Sequence, residues 1–304
     1  MSVMRLGFIH VRESDLDKAS AYYTDVLGLE EVARKDGKHY FKCWDEYDHH
    51  SIVIENGGLG LVKMGYKVET QDELEKLETA IEAFGLPVRR VSRGENLAIG
   101  QALRCTLPSD HVLELYAEAE QSGTKVGRLN PDPWPAGQPA GISPSRLDHT
   151  LLTADDVKTN VDFFTQVLGF RMSERIIPAL GNEELLGAFL FCSNKAHDIA
   201  FVKGPNGKLH HFAFWLDSWN DILRAGDILG RNGIKIDFGP TRHGITRGTT
   251  IYFFGVNGNR NEVFSGGYMT YPDFPCITWT ADQIGKAIFY IHQEVNERFS
   301  NYTT

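Results

Sequence analysis

Long apolar runs are absent from this 304-residue chain, and none approaches the roughly 20 residues a helix needs to cross a bilayer, so no membrane segment is expected. Its four cysteines, Cys43, Cys105, Cys192 and Cys276, are scattered without a CxxC pair. That spacing excludes a zinc knuckle and a redox dithiol and points to reduced thiols. Positive charge is scarce as well: 31 Lys and Arg face 40 Asp and Glu, a formal net charge of −9, and the cations are dispersed. Nucleic-acid partners require a clustered basic face, so none is expected. The opening stretch MSVMRLGFIHVRESD carries charges too early, and lacks the small-residue cleavage pattern, for a signal peptide. A cytoplasmic location is the resulting expectation. With 42% hydrophobic residues, the chain is long enough for two domains with substantial cores.

What the sequence does contain is an internal repeat. FIHVRESDLDKASAYYTDVLGL, from Phe8, aligns with HTLLTADDVKTNVDFFTQVLGF, from His149, at a constant offset of 141. A second match pairs ETQDELEKLETAIEAFGLPV, from Glu69, with DSWNDILRAGDILGRNGIKI, from Asp217, at an offset of 148. These offsets set Phe8, Lys63 and Glu114 of the N-terminal half against His149, His211 and Glu262 of the C-terminal half. Duplication followed by loss of one site explains the asymmetry, making the first half scaffold and the second the seat of chemistry.

Four helix patterns each end at a glycine suited to a left-handed cap: Asp15 to Leu27, Thr70 to Phe84, Asp155 to Leu168 and Ser218 to Asn232. Thr70 and Glu73 have capping-box spacing. A short apolar strand precedes each helix, and alternating runs such as HYFKCW, HSIVIE, GAFLFC and TIYFFG follow. The expected unit is βαβββ, four times, in an α+β fold. Residues 1–117 form an N-terminal pair of units without a metal site, 118–144 a Pro/Gly-rich linker that includes NPDPWPAGQPAG, and 145–304 a C-terminal pair carrying the site. Beyond the last unit, YMTYPDFPCITWT leads into one helical pattern from Ala281 to about Phe299, expected to pack back on the C-terminal domain.

Two neutral imidazoles and one carboxylate on rigid strands make the facial triad suited to non-haem Fe(II), leaving positions open for substrate and dioxygen. His149, His211 and Glu262 are the candidates. A lone strand histidine is usually structural; the joint occurrence in one half, opposite Phe8 and Lys63, favours a metal. Glu114 alone reads as a salt-bridging or hydrogen-bonded residue. His210 competes with His211, because adjacent strand residues point to opposite faces and periodicity does not choose between them. Asp148, beside His149, faces away on the same argument and reads as a structural hydrogen-bonder and not as a fourth ligand.

The motifs LDHTLL, KAHDIAF, KLHHFAFWL, GPTRHGITRGTTIYFF and GNRNEVFSGG, in that order, resemble the type I extradiol ring-cleavage dioxygenases of the vicinal oxygen chelate superfamily. The likeness runs from residue 4 to the C-terminal helix. It implies four βαβββ modules, Fe(II) held by His149, His211 and Glu262, and a homotetramer. It also implies that His197 of KAHD, His243 of TRHG and Tyr252 of TIYFF surround the metal as catalytic residues. The activity it implies is extradiol cleavage of catechol by dioxygen to 2-hydroxymuconate semialdehyde, with 3-methylcatechol, homoprotocatechuate or 2,3-dihydroxybiphenyl as alternative substrates. A metal-free binding module of the same superfamily would have no use for the three donors. Manganese remains open beside iron, since similar ligand sets accept both. A carboxylate-bearing substrate would need a cation at the pocket, for which Arg242, Arg247 and Arg260 are candidates.

Overall fold

The computed structural model describes residues 3–304. In the first unit β1 (Val3–Glu13) leads into α1 (Leu16–Ala21), β2 (Glu30–Lys35), β3 (Lys38–Lys42) and β4 (Ile52–Asn56). The second comprises β5 (Gly60–Val68), α2 (Gln71–Phe84), β6 (Val88–Val91), β7 (Ala102–Thr106) and β8 (Val112–Tyr116). The third holds β9 (Arg146–Ala154), α3 (Val157–Asp162), β10 (Arg171–Ile177), β11 (Gly187–Phe191) and β12 (Ile199–Lys203). The fourth holds β13 (Leu209–Trp215), α4 (Trp219–Arg231), β14 (Ile236–Arg242), β15 (Gly248–Phe254) and β16 (Arg260–Gly266). Each unit is βαβββ, and the fold is α+β.

Units pair through their first strands. The N-terminal sheet runs β2-β3-β4-β1-β5-β8-β7-β6, with β1 and β5 antiparallel at its centre. Its counterpart runs β14-β15-β16-β13-β9-β12-β11-β10-β17, where β17 (Ile277–Thr280) is an added edge strand parallel to β10. In the first sheet Phe8 lies opposite Gly65 and Gly65 opposite Glu114. In the second, His149 lies opposite Ala213 and Ala213 opposite Glu262.

The helices form where apolar residues recur at helical spacing. On α2, Leu74, Leu77 and Ile81 are buried, and each such leucine contributes roughly 1.5–3 kcal/mol of burial. The Thr70 hydroxyl accepts from Glu73 N at 3.2 Å, and Gly85 ends the helix at φ +97°, where a side chain would be strained. On α4, Ser218 caps in the same way, and Ile222, Ala225 and Leu229 face the sheet.

The other two helices depart from the expected regular form. Both α1 and α3 continue into a π-helical turn, Tyr22–Val26 and Phe163–Val167. The i to i+5 bonds Leu27 N to Tyr22 O (3.0 Å) and Leu168 N to Phe163 O (3.4 Å) mark the widened turn. Consecutive aromatics explain it: with an extra residue in the turn, Tyr22 with Tyr23 and Phe163 with Phe164 all become buried. An α-helix would rotate one of each pair by about 100° away from the other.

The expected single C-terminal helix is also corrected. The segment is a 3-10 turn (Ala281–Gln283), then α5 (Ile284–Ile288), an irregular stretch and α6 (Glu297–Asn301). The break at Phe289 and the left-handed Gln293 (φ +56°) let both Phe289 and Phe299 insert beside Tyr252. One apolar core runs through both sheets, and residues 140–143 are tied to the π-turn after α1 by Ile142 N to Val26 O at 2.9 Å.

Candidate metal centre

Three neighbouring central strands, β9, β13 and β16, deliver His149, His211 and Glu262, each at most 2% exposed. His149 Nε2 and His211 Nε2 each lie 3.0 Å from Glu262 Oε2. The three donor atoms all fall within 4.8 Å of one another. Donors on adjacent octahedral positions, with metal–ligand bonds of about 2.1 Å, sit about 3.0 Å apart. The spacing to Glu262 therefore suits a first-row divalent metal.

Electrostatics make the same demand. Burial opposes charge on Glu262, yet the surrounding imidazoles hold its carboxyl well below the usual range. Burial likewise opposes the His149 imidazolium, but hydrogen bonds to Asp148 and Glu262 outweigh it and raise its pKa to about 9. A proton on His149 thus supplies the positive charge between ring and carboxylate, and a metal cation would displace it. His211, pushed down to about 4 by burial, leaves Nε2 without a hydrogen bond although it is buried. Such an orphaned nitrogen facing a carboxylate fits a metal ligand.

Asp148 does turn away from the cavity, but its Oδ2 accepts from His149 Nδ1 at 2.7 Å, which orients the ring; Lys195 Nζ backs Asp148 Oδ1 at 3.3 Å. Between His210 and His211, it is His211 that faces Glu262. The His210 ring points to the Phe299 carbonyl, 2.8 Å from Nε2, and burial holds it neutral.

The remaining expected residues converge on the same cavity, whose walls are Leu151, Phe189, Ile245, Phe264, Ile288 and Phe299. His197, in the loop before β12, packs against His149 with ring centroids 4.0 Å apart and planes tilted by 49°. His243, just after β14, donates from Nδ1 to the Ile288 carbonyl and lies 3.5 Å from Glu262 Oε1. Tyr252 OH donates to His243 Nε2 at 3.1 Å. Thr250 was missed by sequence reasoning: its hydroxyl donates to Glu262 Oε1 at 2.5 Å. Its place two residues before Tyr252, on one face of β15, was the available signal. Asp148, Lys195 and the aromatic wall from the C-terminal segment were not recognised as parts of the site.

None of the three candidate arginines lines the cavity. Arg260 is buried and ion-paired to Asp237 at 2.9 Å, Arg242 bonds the Arg247 carbonyl at 2.9 Å, and Arg247 lies over the Tyr268 ring. A larger cleft, about 490 Å³, occupies the corresponding place in the N-terminal half beside Phe8, Lys63 and Arg104. There Lys63 Nζ lies 3.1 Å from Glu114, and Arg104 pairs with the same carboxylate, so its charge is already balanced. The chemistry is therefore assigned to the C-terminal cavity.

Comparison with known proteins places this geometry in context. Residues 146–263 match the Glyoxalase/Bleomycin resistance protein/Dioxygenase superfamily, and residues 63–120 match the Catechol 2,3-dioxygenase-like N-terminal domain. The chain is 42% identical over 306 residues to a metapyrocatechase of Pseudomonas sp. (strain CF600), covering 99% of both. It is 29% identical to a manganese-dependent 2,3-dihydroxybiphenyl 1,2-dioxygenase of Geobacillus genomosp. 3, over 96% of this chain and 95% of that one. The solved structure of the 2,3-dioxygenase LapB from Pseudomonas sp. KL28 superposes with a TM-score of 0.90 at 45% identity, covering 93% of this chain and 99% of that one. A likeness sustained at this level from end to end leaves no half of the chain unaccounted for, and the chain belongs to the type I extradiol ring-cleavage dioxygenases of the vicinal oxygen chelate superfamily.

Proposed function

We propose that the chain cleaves catechol by the extradiol route, adding both atoms of dioxygen to give 2-hydroxymuconate semialdehyde, with Fe(II) held by His149, His211 and Glu262. The observation that carries this reading is the convergence of two buried ring nitrogens on one buried carboxylate oxygen. Fe(II) bound there supplies a Lewis acid that favours the deprotonated catechol and a site for dioxygen. Manganese is the competing metal, since one relative is named for it.

The chain's own groups position substrate and protons. His197 is held neutral, because burial and the neighbouring His149 lower its pKa well below the ordinary value. Its ring is fixed by packing on His149 and Phe189. A neutral imidazole so placed can take up the proton that catechol releases on binding and return it to the reduced oxygen. His243 keeps its Nδ1 proton on Ile288 O and presents Nε2, with the Tyr252 hydroxyl beside it, to the substrate's oxygens.

The apolar walls without a lysine or arginine favour neutral catechols over homoprotocatechuate, whose carboxylate would be buried unpaired. Residues 1–117 and 145–304 serve as the two domains, with 118–144 linking them. A homotetramer fits the exposed Met269, Tyr271, Tyr290 and Ile291 of the C-terminal segment. A cytoplasmic location fits four free cysteines. No helix among the described residues is long and apolar enough to cross a membrane.

The test is direct: reduced protein mixed with catechol in air turns yellow with the ring-cleavage product, and homoprotocatechuate turns over at least tenfold more slowly per kcat/KM. Colourless solutions with every catechol would remove the activity.

A further inference from the structure

We propose that His210 is a positioning residue, which fixes His211 in the metal-binding tautomer by relaying a hydrogen bond from that ring to the C-terminal helix. The inference rests on the reading of His211 as a ligand. Strand β13 is irregular here: Leu209 pairs with Leu152 and His211 with Leu151, so two residues of β13 are spanned by one step of β9 and His210 is left unpaired. The irregularity brings the two adjacent rings together, centroids 5.0 Å apart, although neighbours on a regular strand point to opposite faces.

The proton positions follow in order. The Phe299 carbonyl only accepts, so His210 Nε2, 2.8 Å away, carries its proton. In neutral His210 the other nitrogen, Nδ1, is then an acceptor. His211 Nδ1 lies 2.7 Å from it and must donate. The proton of neutral His211 is thereby placed on Nδ1, and Nε2, the nitrogen beside Glu262, keeps its lone pair for a metal. The two histidine ligands are set by different means: His149 by a carboxylate backed by Lys195, and His211 by a second imidazole ending on a backbone carbonyl.

That carbonyl belongs to α6, which is fixed by several independent contacts. Asn296 caps Phe299 N at 2.8 Å, Arg298 Nε donates to Asp237 at 2.5 Å, and buried Arg260 donates to Tyr302 O at 2.9 Å. Thr304 and Leu209 exchange backbone hydrogen bonds at 2.9 Å, which brings the last residues back to β13 itself. The C-terminal helix thus acts on a ligand through His210, 89 positions earlier in the chain than Phe299.

The experiment uses the full chain, ring-labelled with 15N in histidine, and reads His211 from its nitrogen shifts after anaerobic chelation. The dissociation constant for Fe(II) is then measured by chelator competition. Wild type should show His211 protonated at Nδ1. His210→Leu should mix the tautomers and weaken Fe(II) binding about 10–100-fold, the usual effect of removing a partner behind a metal ligand. His210→Asn, whose Oδ1 takes the place of Nδ1 as acceptor, should recover the Nδ1 tautomer and most of the affinity. A folded His210→Leu protein with unchanged tautomer and affinity would overturn the proposal. Should that variant not fold, an Nε2-protonated His211 in His210→Asn overturns it. A wild type that binds no divalent metal would instead sink the metal-centre reading, leaving the tautomer measurement to be judged by itself.

Discussion

Glu262 and Glu114 occupy matching register positions, and the residue across from each decides its use. Beside Lys63 and Arg104, Glu114 is a neutralised structural group; beside His149 and His211, Glu262 is the carboxylate we propose as a metal ligand. Glu114→Gln should therefore lower the melting temperature, since breaking a buried pair costs about 3–5 kcal/mol, while iron bound per folded chain stays the same. Calorimetry with metal analysis checks both, and loss of iron from folded Glu114→Gln would contradict the assignment. His197→Phe should keep iron and catechol binding while turnover per iron falls roughly 10²- to 10⁴-fold, as for a lost general acid–base group. Unchanged turnover per iron would remove His197 from the catalytic residues. Among the side chains, the six from the recognisable motifs were legible because each stands in a motif of unusual composition. Those that orient them were not. Asp148, Thr250 and His210 are common residue types whose roles depend on ring rotation and a strand irregularity, which pattern alone does not encode.

At the scale of the element, the four βαβββ units were readable because apolar periodicity switches from helical to alternating, and glycines close the helices. The π-turns after α1 and α3 escaped because the helical period was assumed constant through Tyr22–Tyr23 and Phe163–Phe164. The broken C-terminal helix escaped because its apolar residues pack around Tyr252 and not along one stripe. Two glycines separate tolerance from constraint. Gly230, in α4 with nothing near its missing Cβ, should accept Ala with a gain of about 0.5–1 kcal/mol and unchanged kcat. Gly248 on β15 cannot: a Cβ would lie 2.1 Å from the Phe264 ring, which forms the cavity wall beside His149. Gly248→Ala should cost about 1–3 kcal/mol by overpacking and lower kcat. Thermal melts and turnover on the two variants check this, and a Gly248→Ala enzyme of normal stability would contradict the packing described.

Across the whole molecule, the halves are joined by polar contacts that no repeat alignment foretells, because they link residues at unequal positions of the two copies. Tyr22 donates to Asn261 at 2.6 Å, and His111 Nε2 donates to the Lys208 carbonyl at 3.1 Å. Burial lowers the His111 imidazole from 6.5 to about 4. Its Nδ1 then accepts from Ser109, at 2.9 Å, in the neutral form. Between pH 6.5 and 4 the unfolded chain binds a proton there that the folded chain does not, so stability is full above 6.5 and is lost as pH falls. His10 and His50, lowered chiefly by burial to about 3, add to the same slope. The melting temperature should fall between pH 7 and 4.5, and His111→Gln should make that fall shallower. An identical slope in the variant would contradict the coupling.

The central claim, that one C-terminal centre of His149, His211 and Glu262 binds the catalytic iron, is tested most directly by titration. Protein stripped of metal is reconstituted anaerobically with Fe(II), and catechol turnover is recorded against equivalents added. The account predicts no activity without metal, a linear rise that saturates at one iron per chain, and no rise in His211→Ala. Full turnover before any iron is added, saturation at two per chain, or a wild-type rise in His211→Ala would contradict it.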